Sequence, residues 1–291
     1  MQPRSHDYKD YKTVRSPELF KVSWEPFYRE SLARTDALLS RYRHELDVPY
    51  GSSIFQTLDV YLPETVNAET PCFVFLHGGA FREGHPRQYG FVGKPYLERG
   101  IAFISAGYRL APEAFYPDHV QDVAALSSWL HARLPKYGLD SRRLVMSGHS
   151  SGALMIALAA VRTDWQKTAG VPEGILDTVV LAGANYDHRP EFAENLVRDL
   201  ARREEGTVIC NLQRVPRRAI IVFGVDEQNT GDGRRFERSG RPLGAALEER
   251  GTAVEIFALD AHHQGTCEAL CQEGPVLQSV VAALRDTSKR T

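Results

Sequence analysis

Short apolar runs alternate with helix-like segments along most of this sequence, and the alternation restricts the fold more than any other feature. The runs end in glycine or polar residues and are typical of strands; they span 72–81, 101–109, 143–150, 178–184, 219–226 and 253–260. Because they lack a polar face, they fit strands that are buried on both sides. The helical segments cover 119–134, 151–162, 241–251 and 275–289. The pattern predicts the α/β class, with a mostly parallel central sheet and helices on both faces.

The predicted topology also places the strand ends. Right-handed crossovers bring the carboxyl ends of parallel strands to one edge of the sheet, where such proteins build their sites. We expect a single domain over 23–291, with an amphipathic helix at 25–45 and a further strand at 57–63 before the alternation starts. A charged, irregular stretch at 185–215 predicts a small lid-like insertion over that edge, and 1–22 predicts a flexible arm.

Charge and hydrophobicity exclude several classes of partner. Basic residues number 35 against 37 acidic ones, so the net charge of −2 gives no basis for binding nucleic acid or an anionic membrane. No run reaches the roughly 18 apolar residues of a membrane-spanning helix, and the first residues lack the apolar core of a secretory signal. These features predict a cytoplasmic protein that acts on a small molecule, as a monomer or a homodimer.

The sequence has four cysteines, too few for a disulfide framework: Cys72, Cys210, Cys267 and Cys271. The last two lie four residues apart near His262 and His263, which makes a metal site conceivable. No second pair of ligands with zinc-like spacing occurs elsewhere in the sequence, so buried free thiols are the better interpretation. We expect neither a metal nor an organic cofactor.

A serine between two glycines follows one of the predicted strands. The pattern is Gly148-x-Ser150-x-Gly152, with a strand before it and a helix after it. A serine in this context lies on a sharp turn with strained dihedral angles, and the turn points its hydroxyl into the site. The alternative is a glycine-rich loop with a helix-capping serine. The strand and helix on either side favour Ser150 as a nucleophile.

A second glycine motif, "HGGAF", ends the first buried strand. Adjacent glycines let the backbone approach a ligand closely and direct its amides at it. The N–H groups of Gly78 and Gly79, with Ala80 as a third candidate, are predicted to face a developing negative oxygen. The N–H of Ser151, at the start of the helix after the nucleophile, would face it from the other side. A plain tight turn is the alternative interpretation.

A serine nucleophile needs a histidine base, and in sites of this kind the acid and the histidine follow the serine along the chain. After the serine only His188, His262 and His263 remain. His188 precedes the fifth strand of the alternation, which is the wrong order. Either His262 or His263, both after the sixth strand, is therefore the predicted base.

The acid should lie just past the fifth strand. The segment "VFGVDEQ" offers Asp226 and Glu227. We predict Asp226 because it ends the strand, with the role of holding the imidazole tautomer and stabilising the imidazolium. A carboxylate that only caps a loop is the alternative.

These motifs resemble the α/β-hydrolases of the hormone-sensitive-lipase and kynurenine formamidase (arylformamidase) type, from about residue 45 to the C-terminus. "HGGAF", "GYRLAPEAFYPDHVQDV", "GHSSG", "FGVDE" and a late histidine come in the family's order. In the family a short helix follows the last histidine, and "DAHHQGTCEAL" fits that register with His263 as the base. The resemblance implies the α/β-hydrolase fold and hydrolysis through an acyl-enzyme.

The sequence departs from the formamidases near the site. Ala80 stands where they have an aromatic residue, Ser151 where they have alanine, and Gln264 where they have phenylalanine. The insertion at 185–215 does not match either. Pocket and lid residues determine specificity, so these differences concern the substrate and not the fold. The candidates for contacting the substrate are Phe81, Tyr108, Tyr186 and His262, with core packing as the alternative for the aromatic ones.

The sequence therefore predicts a serine hydrolase that cleaves an ester or an activated aryl amide with Ser150, His263 and Asp226. Two alternatives remain open. The same site could serve a biosynthetic enzyme of a secondary-metabolite pathway, through condensation, cyclisation or a specific deacylation. The scaffold also supports non-catalytic ligand-binding proteins, although these typically lose a member of the triad.

Overall fold

An eight-stranded sheet forms the centre of the computed structural model, which describes residues 25–188, 196–197, 199–225, 227 and 234–286. The strands are β1 (Arg43–Pro49), β2 (Thr57–Leu62), β3 (Cys72–Leu76), β4 (Ala102–Ala106), β5 (Leu144–His149), β6 (Thr178–Ala182), β7 (Arg218–Gly224) and β8 (Ala253–Leu259). Their order is β1-β2-β4-β3-β5-β6-β7-β8. The pairs β1–β2 and β2–β4 are antiparallel, and every other pair is parallel. The predicted α/β class is confirmed.

Helices cover both faces of this sheet. They are α1 (Glu25–Leu39), α2 (Lys94–Leu97), α3 (Asp118–Arg133), α4 (Ser151–Ala160), α5 (Gln166–Ala169), α6 (Arg235–Glu248), α7 (His263–Glu268) and α8 (Pro275–Asp286). Apolar side chains of α3, α4 and α6 pack on one face, and those of α1, α2 and α8 on the other. Within β3, Val74 belongs to the first core and Phe73 and Phe75 to the second. Two cores explain why the central strands carry no polar face.

The strand predicted at 57–63 is present as β2, but the prediction was wrong for the end of the first helix and missed the strand after it. The helix predicted over 25–45 ends at Leu39, and Arg43–Pro49 forms β1. This strand lies at the edge of the sheet and is half exposed, so it lacks the apolar run that marks a buried strand. Its register shifts between Glu45 and Val48, where Asp47 has a φ of 55°. A bulge of this kind breaks the alternation on which strand prediction depends.

The region predicted as a lid is described in part. Residues 200–206 and 208–210 form 3₁₀ turns, whereas 189–195 and 198 lie outside the described residues, as does the predicted arm at 1–22. The backbone N–H of Tyr116 donates to the carbonyl of Leu196 at 2.6 Å, which joins this region to the segment before α3. In the described part of the chain, no helix is long and apolar enough to cross a membrane.

A buried carboxylate fixes the segment between β4 and α3. Asp122, on α3, accepts hydrogen bonds from the N–H of Arg109 at 2.8 Å, from its Nε at 2.7 Å, and from Gln56 Nε2 at 2.8 Å. The same segment contacts the glycine loop, because the N–H of Ala111 donates to the carbonyl of Phe81 at 2.7 Å. Asp122 thereby holds in place the segment that contacts the glycine loop.

Candidate active site

Ser150 lies at the turn between β5 and α4 and has an unusual backbone. Its φ is 54° and its ψ is −121°, a region that residues with a side chain rarely adopt. Its N–H donates to the carbonyl of Ala182, at the end of β6, at 2.8 Å. The surrounding sheet and helix thus hold the strained turn, which is the geometry expected where strain serves a site.

The glycines on either side of Ser150 have no room for a side chain. A β-carbon on Gly148 would lie 2.5 Å from the carbonyl carbon of Gly152. A β-carbon on Gly152 would lie 2.6 Å from the carbonyl oxygen of His77 and closer still to that of Leu76. All of these neighbours are backbone atoms, so the turn can be this tight only with glycine at both positions.

Replacing Gly152 by alanine is expected to destabilise the fold, because the backbone after β3 would have to shift. Overpacking of this kind costs about 1–3 kcal/mol, so for a chain of this length we expect the Tm to fall by roughly 2–5 °C in scanning calorimetry. Gly274→Ala is the matched control, since a β-carbon there meets nothing within 4 Å. Equal melting temperatures for the two variants would show that the turn tolerates a side chain.

The glycine loop after β3 lies against the serine turn. A β-carbon on Gly78 would be 2.8 Å from His149 Nδ1 and 3.2 Å from Ser150 Cβ, so the loop passes directly beside the serine. Gly79, Ala80 and Phe81 all have positive φ, of 132°, 52° and 61°. Two of these three carry side chains, and strained backbone at such positions is typical of ligand-binding loops. The structure therefore brings together the loop and the turn that the sequence analysis singled out.

A tyrosine connects this loop to the start of α4. Tyr108 Oη donates to the carbonyl of His77 at 3.0 Å. The hydroxyls of Tyr108 and Ser151 are 2.9 Å apart, and Ser151 Oγ can donate to the tyrosine oxygen because the tyrosine proton is already used. The side chain of Ser151 thus fixes the distance between the two segments whose amides were predicted to face the substrate.

His263 is the late histidine that the structure places beside the serine turn. It begins α7, is 2% exposed, and its Nδ1 forms a short hydrogen bond with Glu227 Oε2. The other carboxylate oxygen of Glu227 accepts the N–H of Gly224, at the end of β7, at 2.7 Å. The imidazole ring lies 4.6 Å from the ring of His149, the residue before Ser150. A buried carboxylate and a histidine are thus paired next to His149, the residue before Ser150.

Burial changes the proton affinity of both partners. Loss of solvation raises the pKa of the Glu227 carboxyl above its ordinary value, and the hydrogen bond from Gly224 opposes this rise. Loss of solvation lowers the pKa of the His263 imidazole, and the neighbouring Arg235 and His262 lower it further. The lowered pKa keeps the His263 imidazole neutral at neutral pH, which is the state in which it can accept a proton.

Comparison with known proteins identifies the fold family. The BD-FAE family model matches residues 58–200. The kynurenine formamidase of Danio rerio is 25% identical over 243 residues, which are 81% of this chain and 80% of the relative. A solved structure of a hyperthermophilic esterase from Pyrobaculum calidifontis has a TM-score of 0.71 at 18% identity and covers 91% of this chain and 93% of that chain. The chain has the α/β-hydrolase fold.

Other relatives of this chain carry the names of esterases. Esterase LipC of Mycobacterium tuberculosis is 30% identical over 203 residues, which are 65% of this chain and 50% of the relative, so the chain spans about half the length of LipC. The relatives thus include both an esterase and a formamidase, and they support an enzyme that hydrolyses ester or amide bonds.

The carboxylate that the structure pairs with His263 is not the Asp226 carboxylate predicted from the sequence. Asp226 lies outside the described residues, and the carboxylate in contact with His263 is that of Glu227. The extra methylene of a glutamate lets the chain continue past β7 and the carboxylate turn back to the N–H of Gly224. Two adjacent acidic residues were visible in the sequence, but nothing in the pattern indicated which one turns back.

The residues predicted to contact the substrate have different surroundings. Phe81, Tyr108 and Tyr186 are all buried and belong to the same apolar core. His262 is exposed, and its Nδ1 accepts the N–H of Gly265 at the start of α7. Helix capping accounts for His262, and packing accounts for the three aromatic residues, while their contact with a substrate stays a prediction.

The two cysteines considered for a metal site differ in their burial and in their neighbours. Cys267 is buried in the core, whereas Cys271 is half-buried beside Glu268 and Arg34. Among the described residues there is no group of three or more histidine, cysteine, aspartate or glutamate side chains that could hold a metal ion.

Proposed function

We propose that this protein is a serine hydrolase that cleaves a carboxylic ester or an activated aryl amide through Ser150, His263 and Glu227. One observation carries the proposal: the imidazole of His263, bonded to Glu227, lies beside the strained turn that carries Ser150. This arrangement of nucleophile, base and acid is what acyl transfer requires. The assignment of the acid therefore moves from Asp226 to Glu227.

The reaction begins with proton transfer from the serine. Glu227 holds Nδ1 of His263 as the N–H donor, so Nε2 is the basic nitrogen that takes the Ser150 proton during attack on the carbonyl. The imidazolium then donates this proton to the leaving alcohol or amine, and an acyl-enzyme remains. Water attacks the acyl-enzyme with His263 again as base, which releases the acid and regenerates the serine.

Backbone amides stabilise the negative oxygen formed in each attack. The proposed donors are Gly78 and Gly79 from the glycine loop and Ser151 from the first turn of α4, which is where the positive end of a helix dipole lies. The close approach of Gly78 to Ser150 supports this assignment. Each such donor is worth about 3 kcal/mol of activation free energy.

The names of the relatives define the substrates to try first. Kynurenine formamidase supports an aryl formamide, and the esterases support a short acyl ester. We expect the purified protein to hydrolyse p-nitrophenyl acetate, N-formylkynurenine or both, as measured by release of nitrophenolate or kynurenine. A fluorophosphonate probe should label Ser150, as located by peptide mass spectrometry.

The same experiment separates the alternatives. Absence of label on Ser150 would favour a ligand-binding protein on this scaffold. A labelled serine without turnover of either substrate would favour a biosynthetic enzyme that catalyses condensation, cyclisation or a specific deacylation. Turnover that is lost in parallel with labelling supports the hydrolase.

A further inference from the structure

His149, the residue before Ser150, lies where the segments of the active site meet. It is 0% exposed, at the end of β5. Its Nδ1 is 2.8 Å from the position a β-carbon would take on Gly78 of the glycine loop, and its Nε2 is 3.2 Å from the corresponding position on Gly183, after β6. Its Nε2 also lies 3.0 Å from the carbonyl oxygen of His263. One side chain therefore touches the glycine loop, the end of β6 and the loop that carries the base.

The hydrogen bond with the backbone carbonyl of His263 determines which nitrogen of His149 carries the proton. A carbonyl oxygen only accepts, so Nε2 must carry the proton and donate to His263, which leaves Nδ1 as an acceptor. In the described part of the chain Nδ1 has no hydrogen-bond partner. Burial lowers the pKa of His149 to about 3, so the ring is neutral and does not repel the imidazolium that forms on His263.

The imidazole of His263 is enclosed on two sides. The His149 ring lies 4.6 Å away at an angle of 43°, and the Phe236 ring from α6 stacks on it at 4.9 Å and 23°. The carbonyl of His263 accepts a second hydrogen bond, from Thr266 Oγ1 at 2.7 Å. Glu227 fixes the remaining direction through Nδ1. The ring and the backbone of the base are therefore both held, and His149 contributes to each.

We propose that His149 is a positioning residue that ties the base to the nucleophile, with Phe236 as the opposing support of the His263 ring. The inference rests on the proposed function. Because His149 is adjacent to Ser150 in the chain, its hydrogen bond to His263 fixes the separation of the two reacting groups directly. Misplacement of a reacting group by about 1 Å can cost on the order of 100-fold in rate, which is the scale of the effect at stake.

Two substitutions of His149 differ in whether the side chain can still donate a hydrogen bond to the carbonyl of His263. His149→Leu keeps an apolar side chain of similar bulk and removes the donor, whereas His149→Gln places an amide N–H near the position of Nε2. We expect kcat for p-nitrophenyl acetate to fall about 10- to 100-fold in His149→Leu, with KM changed by less than about threefold. His149→Gln should recover most of that loss. If His149 contributed only to stability, both variants would have a lower Tm, but their kcat values would be equal once each is divided by the amount of Ser150 that the fluorophosphonate labels.

The inference is wrong if His149→Leu keeps the wild-type kcat, or if His149→Gln is as impaired as His149→Leu. Should His149→Leu fail to fold, Phe236→Leu and Phe236→Tyr test the opposing support in the same way, with the tyrosine variant expected to retain the stacking. Ser150→Ala, assayed in parallel, separates the two hypotheses. An active Ser150→Ala would contradict the proposed function, whereas an inactive Ser150→Ala beside a fully active His149→Leu contradicts only this inference.

Discussion

Ser150→Ala is expected to lose at least about 10⁴-fold in kcat, because it removes the hydroxyl proposed to form the acyl-enzyme. The fold should be unchanged, since alanine retains the backbone with a φ of 54° and removes only the hydroxyl. The measurement is steady-state hydrolysis of the best substrate from the screen, together with circular dichroism and the Tm.

Ser151→Ala is the matched control, and it distinguishes the two adjacent serines. It keeps the N–H proposed to face the oxyanion and loses only the hydrogen bond with Tyr108. One such bond is worth about 1 kcal/mol, so we expect a loss of roughly tenfold or less. A Ser150→Ala variant that hydrolyses the substrate as fast as Ser151→Ala would remove Ser150 from the mechanism.

Glu227→Gln is expected to lower kcat by about 10³- to 10⁴-fold with little change in the fold. The glutamine amide has nearly the same shape, but it can present an N–H to Nδ1 of His263 and so favour the wrong tautomer. It also cannot stabilise the imidazolium by charge. The measurement is kcat at neutral pH, with the fluorophosphonate labelling rate of Ser150 as an independent readout.

Asp226→Asn is the control for this prediction, since it removes the neighbouring carboxylate and keeps Glu227. We expect a change of no more than about threefold, as for an acidic residue outside the hydrogen-bonded pair. If Asp226→Asn is the impaired variant and Glu227→Gln is active, the acid is the one that the sequence alone favoured.

The fold could be predicted because the sheet is buried on both faces. The central strands are therefore largely apolar, so the runs that form β3 to β7 are easily recognised in the sequence. The glycines at 148 and 152 were equally informative, since backbone atoms occupy the space where a side chain would lie. Burial of a strand and the lack of space at a glycine are both visible in a few consecutive residues, so a short sequence pattern is enough to predict them.

Other features depend on contacts that a local pattern does not contain. The edge strand β1 is half exposed and bulged at Asp47, and its partner β2 lies further along the chain. The contact between Glu227 and His263 joins residues 36 positions apart, so no local pattern reveals it. The roles of His149 and Phe236 appear only when both rings are found against His263, which is more than 100 residues from His149 and 27 from Phe236.

The edge position of β8, the strand that leads to His263, has a consequence for thermal behaviour. His263 follows β8, which pairs only with β7 and has exposed residues along its length, whereas Ser150 follows β5 in the middle. Edge strands of a sheet unfold locally at a lower free energy than its central strands. On warming, His263 is therefore expected to move away from Ser150 while β5 and its hydrophobic surroundings stay intact, so the proposed activity would be lost reversibly below the main melting transition.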